Sequence, residues 1–163
     1  MKGRRQAREC AVQFLYALEY PHDDPTTALR DFWGLQEEPV SPWVREMAES
    51  LIWGVLEHQD RLDQAIRSAA ENWDLHRMSR VDRNILRLAA YEMFYREDIP
   101  PVVSIDEAVE MARDFSGENS ARFVNGVLDR ISKTLTRPLR TALTAESLPR
   151  LPESSQEPGG PVS

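Results

Sequence analysis

Several things are scarce in this 163-residue chain, and each scarcity excludes something. It has one cysteine, Cys10, so it forms no intramolecular disulfide and no cysteine-based zinc site. Cys10 reads as a small buried hydrophobe in a reducing compartment. Glycine is rare, at 7 residues, too few for a turn-rich β fold or a glycine-rich phosphate loop. No apolar run approaches the roughly 18 residues of a membrane span. Gln13 and Glu19 interrupt the apolar stretch that a signal peptide would need after the basic start. The expectation is a soluble, cytoplasmic protein with no membrane partner. There is no nucleophile elbow, Walker loop or dinucleotide fingerprint. Positive charge is in deficit too: the formal net charge of -7 argues, at face value, against a nucleic-acid partner.

What is present is helical spacing. Ala7, Cys10, Ala11, Phe14, Leu15 and Leu18 share one face of a first helix from about Arg4 to Tyr20. Pro21 stops it, and the turn His22-Asp23-Asp24-Pro25 follows. A weaker helix spans Thr26 to Gln36. Ser41-Pro42 is an N-cap with proline at the first helical position, ahead of a stripe of Val44, Met47, Ala48, Leu51, Ile52 and Val55. The pattern resumes through Leu62, Ile66 and Ala69, and Asn72-Trp73-Asp74 marks a break between halves. Ser79 and Asp82 have the spacing of a cap and a first-turn acid. Val81 to Tyr95 is apolar nearly all round, which predicts a central helix. Ser104 and Glu107 have capping-box spacing, with Ile105, Ala108, Val109, Ala112 and Phe115 as the buried face behind them. Asn119 or Ser120 is expected to cap a last helix striped by Val124, Val127, Leu128 and Ile131.

No segment alternates with the period of a strand. The fold class is therefore all-α, about seven helices split near residue 74 into two small halves, about 1–74 and 75–136. Residues 137–163 hold 5 of the 11 prolines and read as a disordered tail.

Resolved by position, the charge changes meaning. Lys2, Arg4, Arg5 and Arg8 against Glu9 make the first ten residues +3, and the tail is balanced. Residues 11 to 136 therefore carry -10, the total of -7 less that +3. On a helical wheel from Arg4, Arg8 falls near roughly 40°, Arg5 near 100°, Tyr16 near 120° and Gln13 near 180°, beside the apolar face. Cations, a ring and an amide on one side suit a flexible RNA strand, and also suit an ordinary solvated face. In the last helix Phe123 sits at the edge of the apolar stripe, with Arg122, Gly126, Arg130 and Lys133 around it. That is either a base-stacking platform or the rim of the core. His22, His58 and His76 lack ligand spacing, and the acids at Asp106, Glu107 and Glu110 suit a helix start. No enzyme chemistry, metal or cofactor is expected.

Four segments carry a resemblance. Arg4-Arg5-Gln6-Ala7-Arg8-Glu9-Cys10-Ala11-Val12-Gln13-Phe14-Leu15-Tyr16, the helix Val81 to Glu92, the stretch Ile99-Pro100 with Val103 to Glu110, and Phe123-Val124-Asn125-Gly126-Val127-Leu128-Asp129 resemble, in order, the motifs of the NusB family. The resemblance covers residues 4 to 133 and leaves the tail outside. It implies two packed three-helix bundles and a bacterial transcription antitermination factor. Such a factor binds boxA RNA of ribosomal RNA leaders together with NusE, a small-subunit ribosomal protein. Other Nus factors and RNA polymerase are then indirect partners. The resemblance places RNA contact on Arg4, Arg5 and Arg8 and on Phe123 with Arg122, and partner contact on Asp82. Gln6 interrupts the basic run that the family often has. Two other readings stand beside this one: an RNA-targeting module serving an rRNA methyltransferase, and a protein–protein adaptor without RNA contact.

Overall fold

A computed structural model describes residues 2–19, 24–71 and 78–136. Among these it contains seven α-helices and no strand: α1 (Lys2–Leu18), α2 (Pro25–Gly34), α3 (Pro42–Glu57), α4 (Gln59–Ala70), α5 (Arg80–Tyr95), α6 (Pro101–Ser116) and α7 (Glu118–Ser132). The break at Asn72-Trp73-Asp74, most of the turn around His22, and the tail 137–163 lie outside the described residues.

Helix starts follow their local chemistry. The Asp24 carboxylate accepts from the Thr27 amide at 3.0 Å, with Pro25 at the first helical position. Ser41 Oγ accepts from the Val44 amide at 3.2 Å, and Ser79 Oγ from the Asp82 amide at 3.0 Å. The pattern from Val44 to Ala69 breaks at His58, so α3 and α4 are separate helices.

Two expected caps are wrong. α6 starts three residues ahead of Ser104, because Pro101 occupies the first helical position, where a missing N–H costs nothing. Ser104 is instead inside the helix and donates to Glu92 at 2.6 Å. α7 starts at Glu118 behind Gly117, whose φ of 106° suits glycine, and neither Asn119 nor Ser120 caps it. The buried face of α6 is also rotated from expectation. Ala108, Met111 and Ala112 are buried, Ile105 and Val109 half-buried, and Phe115 is 40% exposed.

α5 is the central helix, touching α1, α3, α4, α6 and α7. Ile85, Leu86, Leu88, Ala90 and Met93 are almost fully buried on it, and each large apolar side chain contributes roughly 1.5–3 kcal/mol by leaving water. It also buries Asn84, Arg87 and Glu92, which its apolar look concealed. Arg87 makes two bonds to Asp63 of α4, at 2.7 and 3.0 Å. Glu19, at the end of α1, accepts from Arg83 at 2.6 Å and Asn84 at 2.8 Å and lies 3.2 Å from Arg87. The α5–α6 and α6–α7 connections are short, and each pair of helices packs together. α1 packs on α2, α3 and α5, whereas α7 packs on α4, α5 and α6.

Candidate nucleic-acid interface

The candidate residues separate into three places. The first is the start of α1. Arg8 is a correction: it is 3% exposed, and its Nε and Nη2 donate to the two oxygens of Glu92 at 2.9 Å each. Three helices crowd α1, so its buried arc widens past the expected stripe to take in Arg8 and Val12. Arg5 is half-buried; its Nε donates to Glu107 at 2.8 Å, and Nη1 lies 3.8 Å from Asp114. The hydrogen bond to Glu107 raises the Arg5 pKa above its ordinary value. Of the three arginines, Arg4 alone makes no ion pair among the described residues, and it lines a shallow pocket with Trp43 and Arg96. Two of the four cations of the basic start are thus paired with acids of the body it folds against.

The second place is the outer edge of α7. Val124, Val127, Leu128 and Ile131 are buried, as the periodicity predicts. Phe123 is half-buried and packs against the core, which agrees with its place at the rim of the stripe. Arg122, Phe123, Gly126 and Arg130 form one wall of a cavity of about 210 Å³, and Ala70 and Glu71 form the other. A Cβ at Gly126 would meet nothing within 4 Å, so the backbone there is approachable. Arg122 is exposed and donates to Asn119. Arg130 Nη1 donates to the Ala69 carbonyl at 2.8 Å, satisfying an orphan acceptor at the end of α4.

The third place joins the end of α1 to α5 and α6. Val12, Gln13 and Tyr16 of α1, Val81 of α5 and Phe115 of α6 line a mostly apolar groove of about 320 Å³. Tyr16 is 36% exposed, and the Arg80 guanidinium lies 5.3 Å from its ring centroid. Gln13 and Tyr16 therefore sit beside apolar side chains and not beside Arg4. Asp82, next to the groove, is 7% exposed. Its Oδ2 accepts from Ser120 of α7 at 3.1 Å, and its buried Oδ1 has no donor among the described residues. Burial pushes its carboxyl above the usual range, and hydrogen bonds from Ser120 and Ser79 offset only part of that.

The sequence reading did not anticipate the groove. The periodicity predicts Phe115 in the core and predicts no surface at Val81, whereas both line the groove. α1 and α7 are not packed side by side; α5 and α6 separate them. No cluster of His, Cys, Asp or Glu among the described residues has metal-holding geometry, and no described helix is long and apolar enough to cross a membrane.

These features define an all-helical binding protein with a basic and aromatic edge and a separate apolar groove. The NusB family model matches residues 5–133, and the chain belongs to the NusB family. The transcription antitermination protein NusB of Myxococcus xanthus is 46% identical over 140 residues, covering 85% of this chain and 100% of that protein. The structure of T. maritima NusB matches with a TM-score of 0.72 at 40% identity, covering 80% of this chain and 91% of that one. A NusB chain solved with NusE and dsRNA matches with a TM-score of 0.74 at 24% identity, covering 83% of this chain and 99% of that one. That last likeness carries the fold alone. The family is one of antitermination proteins and not of enzymes.

Proposed function

We propose that this chain is a transcription antitermination scaffold. It holds boxA RNA together with NusE, and through that complex it acts on other Nus factors and RNA polymerase in the cytoplasm. Residues 1–136 are the working unit. The observation that carries the reading is the α7 edge, where Arg122 and, from the Phe123–Asp129 motif, half-buried Phe123 and the open backbone at Gly126 line one cavity. Phe123 stacks on an unpaired base, and Arg122 and Arg4 hold phosphates. Arg5 contributes only when its pair with Glu107 opens, Arg130 through a guanidinium already bonded to Ala69, and Arg8 not at all.

The groove of Val12, Gln13, Tyr16, Val81 and Phe115 is the NusE-facing surface. Asp82 acts on that surface only indirectly, since its carboxylate is buried and holds the start of α5 to α7 through Ser120. The acidic body, -10 over residues 11 to 136 once the +3 start is taken from -7, repels generic RNA, so recognition requires both proteins.

The test is filter binding of boxA and scrambled RNA, with and without NusE. Phe123→Ala should weaken RNA binding and leave NusE binding intact, and Phe115→Ser should do the reverse. Equal affinity of the NusE complex for boxA and scrambled RNA would refute the proposal. Unchanged boxA affinity in an Arg4→Ala, Arg122→Ala double variant would favour the pure adaptor reading.

A further inference from the structure

Apart from Arg4, the pocket at the other end of α5 from Asp82 lies outside the motifs of the family. It lies where α1 and α3 begin and α5 ends, has a volume of about 310 Å³, and is lined by Arg4, Trp43, Glu46, Met47, Arg96 and Asp98. Trp43 is 49% exposed, unusual for so large an apolar side chain unless its open face has a use. Its other side is pinned. A Cβ at Gly3 would sit 3.2 Å from Trp43 Cζ3, so the backbone of α1 backs the indole closely. A ring backed closely by α1 and still 49% exposed is held in place with surface left open to a ligand.

The charged groups around it have distinct states. Arg96 binds both oxygens of Asp98 at 3.0 Å each and reaches Ser50 at 3.4 Å, which fixes it as a wall. Arg4 and Glu46 make no ion pair among the described residues. The pocket therefore offers an apolar face, one available cation at its rim and one available acceptor. Two acids against two arginines leave no net attraction for a phosphate inside it, whereas a neutral ring with hydrogen-bonding edges fits.

We propose that this pocket is a second base-stacking subsite, in which Trp43 stacks on an unpaired base of the bound RNA and Arg4 holds the adjoining phosphate. The proposal rests on the RNA-binding reading above. The RNA strand then touches the protein at two aromatic platforms, Phe123 on α7 and Trp43 on α3.

The test uses the full chain with NusE and fluorescently labelled boxA RNA. Trp43→Ala should lower RNA affinity about 5-fold or more, the lower range of one lost base stack, with NusE binding in the absence of RNA unchanged. Trp43→Phe should keep most of the affinity. Unlabelled RNA should quench tryptophan emission in the wild type and quench it less in Trp43→Phe. Wild-type affinity in Trp43→Ala, alongside a loss in Phe123→Ala, overturns this subsite and leaves the proposed function standing. No loss in either variant overturns both. Weakened NusE binding without RNA in Trp43→Ala makes the face a protein surface and overturns the subsite. If the alanine variant fails to fold, equal quenching in wild type and Trp43→Phe overturns it.

Discussion

Replacing Arg8 separates two roles that its place in a basic motif confuses. The side chain is 3% exposed and Glu92 is 1% exposed. Glu92 accepts two bonds from Arg8 at 2.9 Å and one from Ser104 at 2.6 Å. Arg8→Ala removes two of the donors that the buried Glu92 carboxylate relies on and leaves a void where the guanidinium lay. Breaking such a pair from one side costs about 3–5 kcal/mol, because the remaining charge is stranded in a poor solvent. In a domain of this size that lowers the melting temperature by on the order of 10 °C. The pair itself need not be worth that much. Replacing both partners, as in Arg8→Met with Glu92→Leu, should recover most of the loss, since a packed apolar pair avoids both desolvation costs. Urea denaturation followed by circular dichroism measures all three proteins. RNA affinity is then measured well below each midpoint, where every variant is folded. Arg8→Ala should bind RNA with nearly wild-type affinity and an unchanged salt slope. An unchanged urea midpoint together with a salt slope reduced by about one would refute the reasoning and return Arg8 to the phosphate-contacting set.

Two further changes probe the core around α5. Glu19 is pushed up by burial, but hydrogen bonds from Arg83 and Asn84 and the charges of Arg83 and Arg87 outweigh that and hold its carboxyl below the ordinary 4.5. Its folded value is depressed, so its contribution is present above pH 4.5 and is lost as pH falls through the folded value. Glu19→Gln should destabilise the protein at pH 7 and flatten the loss of stability below pH 4.5; parallel pH–stability curves would count against it. At Gly54 an added Cβ would collide with the Tyr91 ring, which stacks near His58 and Tyr95. Gly54→Ala should cost about 1–3 kcal/mol by overpacking, measured by the same denaturation, although alanine is the better helix former.

The helices were legible because their apolar spacing and their serine–proline starts are local signals. Ser41, Ser79 and the stripe of α7 depend only on near neighbours, and they hold. The failures share a different cause. Ser104 has the spacing of a cap, yet its partner, Glu92, is on another helix, and Pro101 had already started the turn. Arg8 sits on the wheel where a surface cation would sit, and only the packing of α2, α3 and α5 on α1 turns that arc inward. Phe115 falls on the expected stripe of α6, but α6 ends one residue later, past the reach of the core. In each case the deciding contact is between elements, and wheel geometry contains no information about neighbours. The site fared likewise. The motif residues Arg122 and Phe123 emerged at an edge, while the apolar groove, built from three helices, had no signature along the chain.

Under the proposed function, ion pairing at the basic start alters how this protein holds an RNA. Counted in the sequence, four cations near the N-terminus would give a steep electrostatic affinity, about 0.7 in log–log salt slope for each phosphate neutralised on a single strand. In the fold, Arg8 belongs to Glu92 and Arg5 is shared with Glu107 and Asp114. Of the candidate cations whose side chains are described, Arg4 and Arg122 are then the ones left to meet phosphates, over a body of net negative charge. Two phosphate contacts steer an RNA strand weakly, so affinity must come from terms that salt does not screen: stacking on exposed rings, and a partner docked in the apolar groove. That division also explains how an acidic protein can be selective. Electrostatics favours every RNA alike, whereas stacking requires unpaired bases at fixed positions, and a partner's contribution requires the partner. Ion-pairing the arginines of α1 inside the fold thus lowers indiscriminate binding while leaving the aromatic contacts, which depend on strand shape, to decide what is held.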